Sequence, residues 1–113
     1  MKARILAGMI AVGLTAAFAS SGAMAVDEDA AKATAKRNDC FKCHAIDKTK
    51  KGPSYKKVAA KFKDKADAEQ KMIDQITKEH KVKLEDGTEE THKVIDTTDK
   101  AEIKNLIDWI RAQ

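Results

Sequence analysis

An all-α fold is the class this sequence predicts, and three observations predict it. Residues Asp27 to Arg37 are rich in alanine and open with acids, which suit the positive end of a helix dipole. Tyr55, Val58, Ala59 and Phe62 are apolar at i, i+3, i+4 and i+7, one face of a helix. Ile103, Leu106, Ile107 and Ile110 repeat that kind of stripe behind Asp99, with Glu102 three residues beyond Asp99 as in a capping box.

The elements follow in order. Lys2 and Arg4 form a short basic region, Ile5 to Ala19 carries no charge, and Ala23-Met24-Ala25 is a small-residue cleavage pattern ahead of Asp27, Glu28 and Asp29. That is the layout of a secretory signal peptide over residues 1–25. The uncharged run is shorter than the roughly 18 residues of a spanning helix. Cleavage after Ala25 would leave one small domain, 26–113, exported to the periplasm without stable membrane insertion. A first helix runs from Asp27 to Arg37. Lys48 to Gly52 is a polar loop, and a second helix starts at Pro53-Ser54 with Ser54 as its cap. A third, about Ala66 to His80, carries Ala68, Met72, Ile73 and Ile76. Val82 to Thr97 is a polar connection, where the turn signal Asp86-Gly87 allows a short hairpin. The last helix opens at Thr98-Asp99. The sum is about four helices, with no internal repeat and no second domain.

The run Cys40-Phe41-Lys42-Cys43-His44 carries the chemistry. C-x-x-C-H is the attachment signature of c-type haem. Two thiols three residues apart lie on one face of a helical turn, so both can form thioethers with the vinyl groups of one porphyrin. His44 follows directly and can reach the iron from the same side. One covalent haem c would also fill the centre of a domain that is marginal as a purely apolar core and has only 4 % aromatic residues. Other readings of the pair fit less well. A redox dithiol wants a βαβ context. A structural zinc site wants a second close ligand pair, whereas His80 and His92 are far apart in sequence. A disulfide across two residues would close too small a loop to stabilise the chain much.

With these residues in place, the chain resembles a class I c-type cytochrome of the small monohaem bacterial kind. The resemblance covers essentially all of 26–113. It rests on Cys40 to His44, on Lys51-Gly52-Pro53-Ser54-Tyr55-Lys56-Lys57-Val58-Ala59, and on the final helix with Trp109. It implies a cytochrome c fold in which the first and last helices cross beside the haem. It also implies that the carbonyl of Pro53 accepts a hydrogen bond from His44, an outer-shell contact that orients the ring and raises its basicity. Tyr55 and Trp109 are then residues that pack on the haem.

The sixth iron ligand departs from that family, whose members usually offer a methionine from the loop before the last helix. Met1, Met9 and Met24 lie in the signal peptide, and the remaining Met72 sits on an apolar helical stripe, where methionine usually serves packing. The loop offers His92 instead, seven residues before Asp99. The expectation is a bis-histidine pair, His44 with His92, with Glu90, Thr91 and Lys93 shaping the loop. His80 and Met72 are the rivals, and an empty sixth position is the remaining case. A second imidazole in place of a thioether lowers the expected midpoint potential.

Charge bears on partners. After signal removal 20 basic residues face 18 acidic ones, a net of +2, and nothing resembles a basic, aromatic-interleaved nucleic-acid surface. From Lys42 to Lys65 nine lysines stand against Asp47 and Asp64; from Leu84 to Glu102 seven acids stand against Lys93 and Lys100. This asymmetry would present a lysine-rich haem edge to an acidic redox partner. A monomeric, non-enzymatic electron carrier is the expected function. A small-gas binder with a displaceable sixth ligand is the alternative, and a haem peroxidase would need a wider, open pocket.

Overall fold

The computed structural model describes Gly13 and residues 25–113, so the expected signal peptide falls, but for Gly13 and Ala25, outside the described residues. Helix α1 (Glu28–Arg37) begins where Asp27 accepts a hydrogen bond from the Ala30 amide, and it ends with Lys36 and Arg37 at its negative pole. Asp39 then takes a left-handed backbone (φ 58°), a conformation that Asp tolerates better than most residues. That single residue breaks α1 from the one-turn helix α2 (Cys40–Cys43). Helix α3 (Tyr55–Phe62) starts behind Ser54, whose hydroxyl accepts from the Lys57 amide at 3.1 Å.

Helix α4 (Ala68–Thr77) is shorter than the periodic reading of 66–80. Lys78 is already extended (ψ 140°), because the chain there turns into a hairpin. His80 therefore lies beyond the helix, as the last residue before strand β1. Strands β1 (Lys81–Lys83) and β2 (Glu89–Thr91) pair antiparallel, with Lys81 opposite Thr91, Val82 opposite Glu90 and Lys83 opposite Glu89. Their turn holds Gly87 at φ +85°, which glycine takes without strain, and Asp86 accepts from both the amide and the hydroxyl of Thr88.

Helix α5 (Lys100–Arg111) is the hub on which α1, α3 and α4 pack. Its stripe of Ile103, Leu106, Ile107 and Ile110 is buried as expected. Ala31 and Ala35 of α1 are fully buried, and their small side chains let the two helices approach closely. Asp99 caps α5 through the amides of Ala101 and Glu102. The capping box is only half formed. Glu102 does not reach back to Asp99 but turns to Arg37 and Thr34 of α1. A cross-helix ion pair has taken its carboxylate.

Candidate functional site

The site is built around α2 and the loop that follows it. The α2 turn puts Cys40 and Cys43 one turn apart, and no disulfide joins them. Cys40 is partly buried against the core, and burial pushes its thiol pKa up. The His44 amide still bonds back to the Cys40 carbonyl at 2.9 Å, but its φ/ψ is extended, so the ring leaves the helix. The loop returns through Gly52, whose amide donates to the Cys43 carbonyl at 2.8 Å. Pro53 then places its carbonyl oxygen 2.6 Å from His44 Nδ1.

Gly52 is needed at that point for space. A Cβ there would lie 3.0 Å from His44 Cε1 and 3.3 Å from Nδ1. Tyr55 stacks on the other side of the histidine, with ring centroids 5.2 Å apart and planes 18° from parallel. Trp109 meets Tyr55 edge-on at 5.6 Å, and Phe41 contacts both rings. Phe41, an unassigned position inside the motif, thus joins Tyr55 and Trp109 in one aromatic cluster. Only the tertiary packing identifies it.

On the opposite side stands the hairpin. His92 follows β2 and His80 precedes β1, so the strand register sets them against each other. The His92 amide donates to the His80 carbonyl at 2.9 Å. Their rings stack at 5.6 Å with planes only 4° apart. The His92 ring also faces His44, centroid to centroid 6.4 Å. Burial, ahead of the neighbouring histidines, lowers the His92 pKa and favours a neutral ring. Met72 lies elsewhere, 3 % exposed in the core between α4 and α5.

A second set of contacts ties the loop beyond His92 to α1. Arg37 grips both carboxylate oxygens of Asp96 at 2.8 and 2.9 Å. The buried Asn38 donates to Asp96 Oδ1 and accepts from the Asp96 amide. Hydrogen bonding from Arg37 holds the Asp96 carboxyl down, to about 2. This latch was not visible as a motif, since its members are 58 or 59 residues apart.

The residues fit a planar metal cofactor better than a bare ion. Among the described residues no group of three or more His, Cys, Asp or Glu forms a metal cage. Two imidazoles on facing sides suit a metal already held in a ring. Metal–imidazole bonds of about 2 Å each would set two such rings roughly 6 Å apart, centre to centre. Among the described residues, the buried nitrogens Trp109 Nε1 and His80 Nε2 find no hydrogen-bond partner, a cost that a polar cofactor edge or a metal could relieve.

Comparison with known families decides the lineage, because residues 28–113 match the model of the family described as Cytochrome c. The chain belongs to the cytochrome c family. Its cofactor is one covalently bound haem c, consistent with the spacing of Cys40 and Cys43. This cytochrome is 40 % identical over 76 residues to cytochrome c-551 of Pseudomonas aeruginosa, 67 % of each chain. It is similar in structure to the class 1 cytochrome MtoD of Sideroxydans lithotrophicus (TM-score 0.75, 56 % identity, 78 % of this chain and 97 % of that one). Cytochrome c552 of Nitrosomonas europaea aligns with a TM-score of 0.56 at 30 % identity, over 75 % of this chain and 96 % of that one. The cytochrome c fold expected from the sequence is therefore the observed one, with α2 as a fifth helix and the hairpin formed. Among the described residues no helix is long and apolar enough to cross a membrane.

Proposed function

We propose that this cytochrome is a single-electron carrier whose iron is held axially by His44 and His92, with Cys40 and Cys43 as the thioether anchors. The observation that carries the reading is the facing pair of imidazoles, 6.4 Å apart. Their planes differ by 52°, which two axial rings twisted about a shared axis can accommodate. Each has Nδ1 against a backbone carbonyl, His44 on Pro53 and His92 on Lys93. A carbonyl can only accept, so Nδ1 donates and Nε2 is the nitrogen left to meet the metal. Met72 would have to leave the core to compete. The haem supplies reversible one-electron chemistry at its iron.

The protein's own groups do the rest. Pro53 orients His44 and strengthens it as a donor, while Tyr55 and Trp109 exclude water from that side. Two imidazoles stabilise the ferric state more than an imidazole–thioether pair, so the midpoint potential should lie below that of methionine-ligated relatives. Export through residues 1–25 would deliver the carrier to the periplasm as a monomer. The lysines of 42–65 would dock it to acidic redox partners.

The test is the EPR and near-infrared spectrum of the oxidised holoprotein beside its His92→Ala variant. A low-spin bis-imidazole signal that changes in the variant supports the reading. A methionine-to-iron charge-transfer band, or a variant spectrum identical to wild type, overturns it. A high-spin wild-type protein would instead indicate a site open to small gases.

A further inference from the structure

We propose that His80 is a reserve distal ligand, able to take the sixth iron position when His92 leaves it. The proposal deepens the His44/His92 reading and rests on it. All three histidines of this chain have the same local arrangement. His80 Nδ1 lies 2.9 Å from the Lys78 carbonyl, just as His44 meets Pro53 and His92 meets Lys93. Each carbonyl must accept, so each Nδ1 donates, and Nε2 is the ring nitrogen left to meet a metal. An iron in a porphyrin has two axial positions, and the chain holds three imidazoles whose Nδ1 is already engaged by a carbonyl. One is surplus to the resting state.

Burial gives the surplus ring its meaning. A solvated histidine would turn Nε2 to water, whereas His80 Nε2 is buried and finds no hydrogen-bond partner among the described residues. Its plane is parallel to that of His92 within 4°, with the centroids 5.6 Å apart. One position beyond the Lys81–Thr91 pair, the His92 amide donates to the His80 carbonyl, so the two residues sit opposite each other at the mouth of the hairpin. The hairpin has little to hold it rigid. Its strands are three residues each, and every residue of β2 is exposed. Short, exposed pairings of this kind open locally at low cost. The exchange itself breaks one nitrogen–iron coordinate bond and forms another, with no net transfer of a proton or an electron.

The test compares holoproteins carrying His80→Ala, His92→Ala and both changes, by low-temperature EPR and by titration with free imidazole. His80→Ala should keep the wild-type spectrum. His92→Ala should stay low-spin with a bis-imidazole signal of altered g-values. The double variant should lose that signal and bind free imidazole at least ten-fold more tightly than His92→Ala does. A high-spin or methionine-ligated His92→Ala protein overturns the reserve role and leaves the His92 reading standing. A His92→Ala spectrum identical to wild type overturns the His92 reading itself. If the alanine variant does not fold, His92→Leu fills the same volume and repeats the comparison.

Discussion

Gly52 shows what a single position contributes here. It lies in the loop that carries Pro53 to His44, and its own amide is tied to the Cys43 carbonyl. The backbone therefore cannot retreat, and an added methyl at 3.0 Å from His44 Cε1 must push the ring. Gly52→Ala should destabilise the holoprotein by about 1–3 kcal/mol, the range for overpacking a tight site. Urea unfolding followed through haem absorbance checks this, and an unchanged midpoint would mean the loop yields. Cys40, Cys43 and His44 form a candidate site that can be read without any structure, because their chemistry is written in adjacent positions. Gly52 belonged to a recognisable segment, but its contact with His44 depends on how the loop folds back.

At the scale of elements, α5 is the piece that most of the domain rests on. Leu106 is 1 % exposed at the centre of its stripe, within the main apolar core. Leu106→Ala should cost about 2–5 kcal/mol, the usual range for a cavity in a closed core. Denaturant titration measures it, and a loss under 1 kcal/mol would show that the helices collapse onto the gap. The latch between α1 and the distal loop has a pH signature. Asp96 is held down from its ordinary 3.8 to about 2 by Arg37. Its folded pKa lies below its unfolded one, so its contribution is fully present above about 4 and is lost as pH falls towards 2. Asp96→Asn should therefore flatten the rise of stability across that window, as seen in unfolding midpoints at a series of pH values. A wild-type slope in the variant would assign the acid sensitivity to other carboxylates. Helical periodicity found α1, α3 and α5 closely but overran α4 at both ends. The apolar stripe stops at Ile76, and the polar residues after it gave no reason to prefer an extended chain to another helical turn. Pairing with β2 supplied that reason.

For the whole molecule, charge is the property that reaches furthest. The segment from Lys42 to Lys65 carries a net of +7 and that from Leu84 to Glu102 carries −5, within residues 26–113 whose net charge is only +2. Such a dipole orients the molecule during encounter more than it strengthens any complex. Electron transfer to an acidic partner protein should slow by about ten-fold or more between 10 mM and 300 mM salt, as the screening length shrinks. Stopped-flow rates test it, and rates independent of ionic strength would remove the docking role of the lysines.

The sequence by itself determined the cofactor, the family resemblance and most of the helices. Each of those depends on residues within a few positions of one another, where spacing alone fixes geometry. It also narrowed the expected sixth ligand to a few candidates, since residues 26–113 hold so few donors. Tertiary structure decided which distant groups meet. It set His80 against His92 through the strand register, turned Glu102 from its own cap to Arg37, and brought Asp96 to Arg37 across 59 residues. These contacts exist only once α5 has gathered α1, α3 and α4 around it, because the chain that separates the partners carries no record of its folded path.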